Sequence, residues 1–341
     1  MSDTPSAPPP EAIALQLFFG KMISMAASVV CRLKIPDHLA AGPLSVEELS
    51  SQTGSHSASL YRIMRALASV GVFTTTSDGK FELNAVSQLL RTGVKGSMRG
   101  IVDYGGANWS WTAWGSLMHS VKTGETAFDH VFGEGCFQHL SKHPHESAVF
   151  DEGMTGFSTV TGPAIVQAFD FSNFHTVVDV GGGHGKLLLT ILEKYHAVNG
   201  IVFDSNHVVE GANVAIAATG MGSRCQAIGG DFFQSVPAGG DAYLMKHIIH
   251  DWNDDNCRKI LNNCRRVIPA TGKLLVVDMV VPEDHGPHPS KLLDLEMMVV
   301  ASGKERTESE FAELFRSAGF KLTRIIPTQS PVCVIEGVPV A

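Results

Sequence analysis

The residues best suited to chemistry gather in the second half of this 341-residue chain. Lys246-His247-Ile248-Ile249-His250-Asp251-Trp252-Asn253-Asp254-Asp255 follows the apolar run Ala242–Met245. Open α/β sheets place their active sites at the carboxyl ends of such strands. A solitary histidine in apolar surroundings is most often structural, but here two acids stand in matching places. Asp278 ends the next apolar run, Leu274–Val277, and Glu305 lies in Gly303-Lys304-Glu305-Arg306-Thr307, just ahead of a helix. A carboxylate on the far ring nitrogen of a histidine fixes its tautomer and stabilises the imidazolium formed when it takes a proton. His250, Asp278 and Glu305 are therefore the candidate catalytic residues. Asp251, Asp254 and Asp255 are read as opening a helix, whose positive end favours acids. His139 and His143 have helical i,i+4 spacing, but the sequence offers no identifiable third ligand, so no metal site is expected.

A second cluster is Asp179-Val180-Gly181-Gly182-Gly183-His184-Gly185, between an apolar run and a helix expected over Leu187–Tyr195. Glycines here permit a tight turn and let a ligand approach main-chain N–H groups at a helix N-terminus. A P-loop would need glycine at Val180 and Ser or Thr at Leu187, and a dinucleotide fingerprint would need glycine at Lys186. The spacing that remains is DxGxGxG, associated with S-adenosylmethionine. Asp204, at the end of the following strand, is placed to accept hydrogen bonds from ribose hydroxyls. Gly230-Asp231-Phe232-Phe233 offers a carboxylate for an adenine amino group and a ring to stack on it.

The elements that must hold these groups divide the chain in four. Residues 1–10, ending in Pro8-Pro9-Pro10, read as a mobile tail. Residues 11–95 begin with an unusually apolar helical stretch, about 12–41, whose burial is best served by a second copy of the chain. A capped helix then starts at Ser45, a second runs from Ser57 to Val70, and Val72–Thr75 pairs with Lys80–Leu83 across Ser77-Asp78-Gly79. That is a winged-helix outline. Over residues 1–90 the count is six Lys and Arg against seven Asp and Glu, which leaves little charge to drive phosphate binding. Dimerisation is preferred over nucleic-acid binding, and a winged-helix regulator is the weaker alternative. Residues 96–160 form an aromatic helical connector that contributes to a substrate pocket. Residues 161–341 read as a doubly wound, Rossmann-like, mostly parallel sheet. The closing strands, Lys321–Ile326 and Val332–Ile335, are too closely linked for a parallel crossover and must pair antiparallel.

Net charge is −8, and no uninterrupted apolar run reaches the ~18–20 residues of a membrane span. Six scattered cysteines without a CxxC fit reduced thiols, and a cytoplasmic enzyme is the expectation. Taken together, VVDVGGGHG, GDFF, KHIIHDWNDD and GKERT resemble the class I S-adenosylmethionine-dependent O-methyltransferases of the plant caffeic acid O-methyltransferase type and their bacterial small-molecule relatives. The resemblance implies His250 as general base, flanked by Asp278 and Glu305. It implies cofactor contacts at Gly181, Gly183, Asp204, Asp231, Phe232 and Lys246, and acceptor packing at Phe150, Met154 and Met297. It further implies a homodimer and a small aromatic hydroxylated acceptor. N- or C-methylation on the same scaffold is the alternative reaction.

Overall fold

A computed structural model describes residues 9–340. Residues 1–8 of the expected tail lie outside the described residues. The tail reading fails at its end: Pro10 opens a helix, Pro10–Arg32, because the missing N–H and fixed φ of proline cost nothing in a first turn. The chain divides into two compact units, Met1–Asn108 and Trp109–Ala341. The expected divisions at 95 and 160 differ from this. The second falls inside one continuous helix, Pro144–Ala168.

In the N-terminal unit the apolar helix stops at Arg32, short of the expected residue 41. Lys34 adopts the left-handed conformation (φ 52°), and Pro36 sits in the first turn of a new short helix, Ile35–His38. Helices Val46–Thr53 and Ser57–Ser69 follow, the former with a reciprocal Ser45–Glu48 capping box. Strands β1 (Phe73–Thr75) and β2 (Phe81–Leu83) pair antiparallel, in the expected element order. Val30, Ile35, Leu49, Leu60, Met64, Phe73 and Phe81 form the core of this unit. Arg32 Nε ties to Asp103 Oδ1 at 2.6 Å, joining the long helix to Arg99–Tyr104. The rest of the long helix is left uncovered within one chain: Leu15, Leu17, Phe18 and Met22 are 55%, 79%, 58% and 45% exposed. By length and composition this one helix could also cross a membrane, contrary to the expectation from uninterrupted runs. Lys21 stands at its middle, where a charge is costly in lipid.

The C-terminal unit begins with helices and is centred on a seven-stranded sheet. Its strands are β3 (Thr176–Val180), β4 (Asn199–Asp204), β5 (Cys225–Gly229), β6 (Ala242–Lys246), β7 (Lys273–Asp278), β8 (Phe320–Pro327) and β9 (Cys333–Pro339). Their order is β5-β4-β3-β6-β7-β9-β8, parallel except for β9, which inserts antiparallel between β7 and β8. The short link 328–332 forces that hairpin. Helices cover both faces. On one, Leu187, Leu188 and Ile191 meet Val177, Val202 and Leu244; on the other, Ile260, Leu261, Phe311 and Phe315 meet Tyr243, Met245 and Val276. The strand order reverses between β3 and β6, so a crevice opens beyond their carboxyl ends. The glycine loop leaves β3 at that point, and the His250 segment leaves β6.

Candidate active site

Immediately after β6 the backbone turns through His247, a non-glycine residue at φ 55°, into a short turn, Ile249–Asp251. Asn253 then caps helix Asp254–Val267, its Oδ1 accepting from the Asn256 N–H at 3.0 Å. Asp254 and Asp255 therefore open a helix as expected, but Asp251 does not. Its Oδ1 lies 3.5 Å from His250 Nε2, and its side chain is largely buried.

His250 is 6% exposed, and its Nδ1 lies 2.6 Å from Glu305 Oε1. An ionised carboxylate only accepts, so this contact puts the proton of the neutral ring on Nδ1 and leaves Nε2 bare. Asp278 stands further off, with Oδ1 4.0 Å from His250 Nδ1. That oxygen instead accepts the His247 N–H at 3.1 Å and lies 3.4 Å from His247 Nδ1. The two imidazole rings stack at 4.9 Å and 21°. Burial alone would lower the His250 pKa, but the charges of Asp278, Asp251 and Glu305 outweigh it and push it up to about 10. Burial pushes the Asp278 carboxyl upward, against the pull of His250. Burial, Lys246 and His250 together hold His247 well below the ordinary histidine range. Asp278 Oδ2, Glu305 Oε2 and His247 Nδ1 are buried without a hydrogen-bond partner. Such orphaned atoms are costly and concentrate at functional sites.

The Glu305 segment is held from several sides. Its N–H donates to Asp294 Oδ1 at 2.8 Å, and Thr307 and Glu310 form the expected capping box. Arg306, only 1% exposed, donates to the carbonyls of Ile249 (2.9 Å) and Trp252 (3.0 Å) and to Asp254 Oδ1 (2.7 Å). Adjacent residues thus grip the His250 turn, Glu305 by its ring and Arg306 by its backbone on both sides. Gly303 permits the approach: a Cβ there would lie 1.9 Å from His250 O. Reading the sequence picked out Glu305 but missed Arg306, Asp294, His247 and the position of Asp251. The only signal for Arg306 was its place beside Glu305.

In the glycine loop, Gly181, Gly183 and Gly185 all have left-handed φ, at 70°, 57° and 76°. A Cβ on Gly183 would meet nothing within 4 Å, so the backbone faces open space there. The Gly183 N–H donates to Asp204 Oδ2 at 2.8 Å, and the Ser205 N–H to Asp204 Oδ1 at 2.7 Å. Burial pushes Asp204 upward and takes Asp179 to about 7. Lys246 is drawn down to about 8 by burial, against the opposing pull of Asp179 and Asp278. Phe232 comes close to the loop, its Cε1 3.7 Å from where a Gly181 Cβ would sit. Asp231 is exposed and serves its own turn, accepting from the Phe233 N–H at 2.8 Å and Gln234 Nε2 at 3.2 Å. The bent loop, its open face and the acid ending β4 fit an adenosine-bearing ligand.

Phe150 and Met154 lie one turn apart on helix Pro144–Ala168. Phe150 packs on Trp109 (6.5 Å) and Phe137 (5.9 Å), and Phe137 lies 5.2 Å from Trp252, so an aromatic chain reaches the His250 turn. Met297 is 6% exposed. Its neighbour Met298 instead lines a cavity of about 590 Å³ with Glu125, Asp129, His130, Asn253 and Gly303. None of the expected site residues lines that cavity.

A family model for the O-methyltransferase domain matches residues 114–321, and one for the O-methyltransferase dimerisation domain matches residues 15–93. A phenazine O-methyltransferase of Lysobacter antibioticus is 42% identical over 334 residues, spanning 98% of this chain and 98% of its own. The solved structure of LaPhzM matches at a TM-score of 0.94 and 42% identity, over 98% of this chain and 100% of that one. A solved O-methyltransferase of neocarzinostatin biosynthesis, in complex with S-adenosylmethionine and 2-hydroxy-5-methyl naphthoic acid, matches at a TM-score of 0.79 and 31% identity, over 93% of this chain and 96% of that one.

Proposed function

This chain belongs to the O-methyltransferase family and is an S-adenosylmethionine-dependent enzyme acting on small molecules; within that frame we propose that it methylates a phenolic hydroxyl of a flat aromatic molecule, with His250 as general base. The observation that carries this reading is the 2.6 Å contact between His250 Nδ1 and Glu305 Oε1. It orients the ring and leaves Nε2 to meet an acceptor hydroxyl.

S-adenosylmethionine, when bound, supplies a methyl group already activated on a sulfonium. We assign its holding to Gly181, Gly183, Asp204, Asp231, Phe232 and Lys246. The protein must then align the acceptor oxygen and remove its proton. Alignment supplies most of the acceleration in such transfers. An ordinary imidazole, near pH 6.5, is several kcal/mol too weak to deprotonate a phenol near pH 10. The carboxylates around His250 narrow that mismatch by raising it to about 10. A neutral imidazole facing a phenol holds the same protons as an imidazolium facing a phenolate, and both lead to the same transfer. As the oxygen–methyl bond forms, the hydroxyl proton ends on His250 Nε2. Asp278 is assigned the part of adding charge, without touching the ring, and of fixing His247.

Relatives acting on phenazine and naphthoic rings support a fused aromatic acceptor. We assign Phe150, Met154 and Met297 to its packing, with Phe137 against Phe150 and Trp252 against Phe137. The dimerisation-domain match and the uncovered apolar helix support a homodimer, rather than a membrane or nucleic-acid partner. The test is incubation with labelled S-adenosylmethionine and hydroxylated phenazines, naphthoates and benzoates. A methyl ether as product, abolished by His250→Ala, is expected. A product methylated on nitrogen or carbon, or full turnover in His250→Ala, would overturn the reading.

A further inference from the structure

The sequence left His139 and His143 without a third ligand, and the structure supplies one. Ligand atoms of His139, His143 and Glu146 all lie within 4.8 Å of one another. We propose that these residues form a binding site for a divalent transition ion of the zinc class, separate from the active site.

The donors lie close together, and the stacked rings must turn for both to point at one ion. His139 is buried on helix Cys136–Lys142, and its Nε2 lies 2.8 Å from Glu146 Oε2, in the first turn of helix Pro144–Ala168. Its other nitrogen, Nδ1, faces Glu134 Oε1 at 3.5 Å. His143, at the junction of the two helices, stacks on His139 with ring centroids 3.9 Å apart. Its Nδ1 contacts the His139 carbonyl at 2.8 Å. A carbonyl only accepts, so His143 carries its proton on Nδ1 and presents a bare Nε2. Metal-bound histidines are characteristically held this way, the far nitrogen donating to a carbonyl or carboxylate. Here His143 has the carbonyl, and Glu134, which also pairs with Lys142, stands 3.5 Å from His139 Nδ1.

A plain ion-pair role accounts for less. A charged His139 bridging Glu134 and Glu146 would explain those contacts, and His143 Nδ1–H serves the His139 carbonyl at the helix end, but neither role uses the exposed Nε2 edge of the His143 ring. Two imidazoles with one carboxylate select zinc-like ions over magnesium or calcium. A tetrahedral ion with bonds of ~2.0–2.2 Å sets its ligand atoms about 3.4 Å apart, so His139 Nε2 and Glu146 Oε2 would open from 2.8 Å while the wider separations, all within 4.8 Å, would close by side-chain rotation. A solvent molecule would complete the shell on the exposed side. The ion would staple two helices, one carrying Phe137 and the other Phe150.

The test is titration of chelator-treated protein with Co²⁺, read by visible absorption and by metal-to-protein ratio. One cobalt per chain with tetrahedral absorption is expected, unchanged in His250→Ala. His143→Ala and Glu146→Gln should each weaken binding at least tenfold while leaving methyl transfer intact. His143 is exposed, so its substitution spares the fold, and circular dichroism checks this. Excess Zn²⁺ should raise the melting temperature of the wild type by roughly 5 °C and that of His143→Ala by much less. The proposal falls if the wild type shows no such absorption at millimolar Co²⁺. It also falls if the absorption survives His143→Ala but vanishes in His250→Ala, which would move the ion to the His247–His250–Asp278 cluster.

Discussion

The two units of this protein depart from ordinary burial in opposite directions. The N-terminal unit leaves apolar side chains in water: Leu17 and Phe18 are 79% and 58% exposed on a helix that covers only its last turns within one chain. The C-terminal unit hides charge: Asp278, Glu305, Arg306 and His250 are 0%, 4%, 1% and 6% exposed. The same argument reads both. A patch of large exposed apolar residues marks a surface made to be covered. Buried charges survive only when paired, and the atoms left unpaired show where chemistry is stored. One unit is energetically unfinished toward a second copy of the chain, the other toward an acceptor and its methyl donor.

The sharpest way to break this contrast is His250→Ala. Loss of a general base should lower kcat by roughly 10²–10⁴-fold, with S-adenosylmethionine affinity by calorimetry nearly unchanged. If both fall together, His250 is a structural residue. Next comes Arg306→Ala, which removes the guanidinium from the Ile249 and Trp252 carbonyls and the Asp254 carboxylate and leaves the two carbonyls to the Cys257 thiol. Breaking a buried charged network costs about 3–5 kcal/mol. The melting temperature should drop by roughly 5–15 °C, and Arg306→Lys should recover only part of it. Unchanged melting would mean that the guanidinium does not hold the turn.

On the other side of the comparison, Leu17→Glu with Phe18→Glu places two charges on the uncovered helix. The dimer dissociation constant should rise by at least a hundredfold in sedimentation experiments, while each chain stays folded. A dimer of unchanged strength would show that another surface makes the contact. Glu305→Gln keeps the shape and removes the charge on Nδ1. It should cost about tenfold in kcat/KM and shift the pH profile to lower values. The profile of the wild type bears on the same contact. His250 is raised to about 10, above its ordinary value, so it stays protonated through neutrality and becomes free to accept only as pH rises. The logarithm of kcat/KM should climb with a slope near one between pH 6 and 9. A plateau already reached near pH 7 would show that the carboxylates leave His250 unshifted.

Much of the site could be read from spacing because local rules govern it. The Asp179–Gly185 loop sits between a strand and a helix, and three of its glycines adopt the left-handed backbone such a turn needs. The Ser45 and Thr307 caps bond within four residues of themselves. Asp278 and Glu305 were legible as acids at the ends of elements. Other features were hidden because they depend on groups far apart in sequence. Arg306 reaches carbonyls 57 and 54 positions away. Asp251 was assigned to a helix start, but the left-handed turn at His247 swings it toward His250 instead. Glu146 completes its cluster only because the chain bends at His143.

The sequence by itself determined the parallel sheet, the antiparallel closing hairpin, the glycine loop and the identities of the acids and the imidazole. Those follow from periodicity, from glycine and proline at turns and from the reach of short links, all set within a few residues. Tertiary structure alone decided that Glu305, and not Asp278, takes His250 Nδ1. It decided that Asp278 spends its near oxygen on His247, and that a fully buried guanidinium clamps the turn between them. Ångström differences between carboxylates decide which one orients the imidazole. Such differences arise from the packing of elements that are distant along the chain.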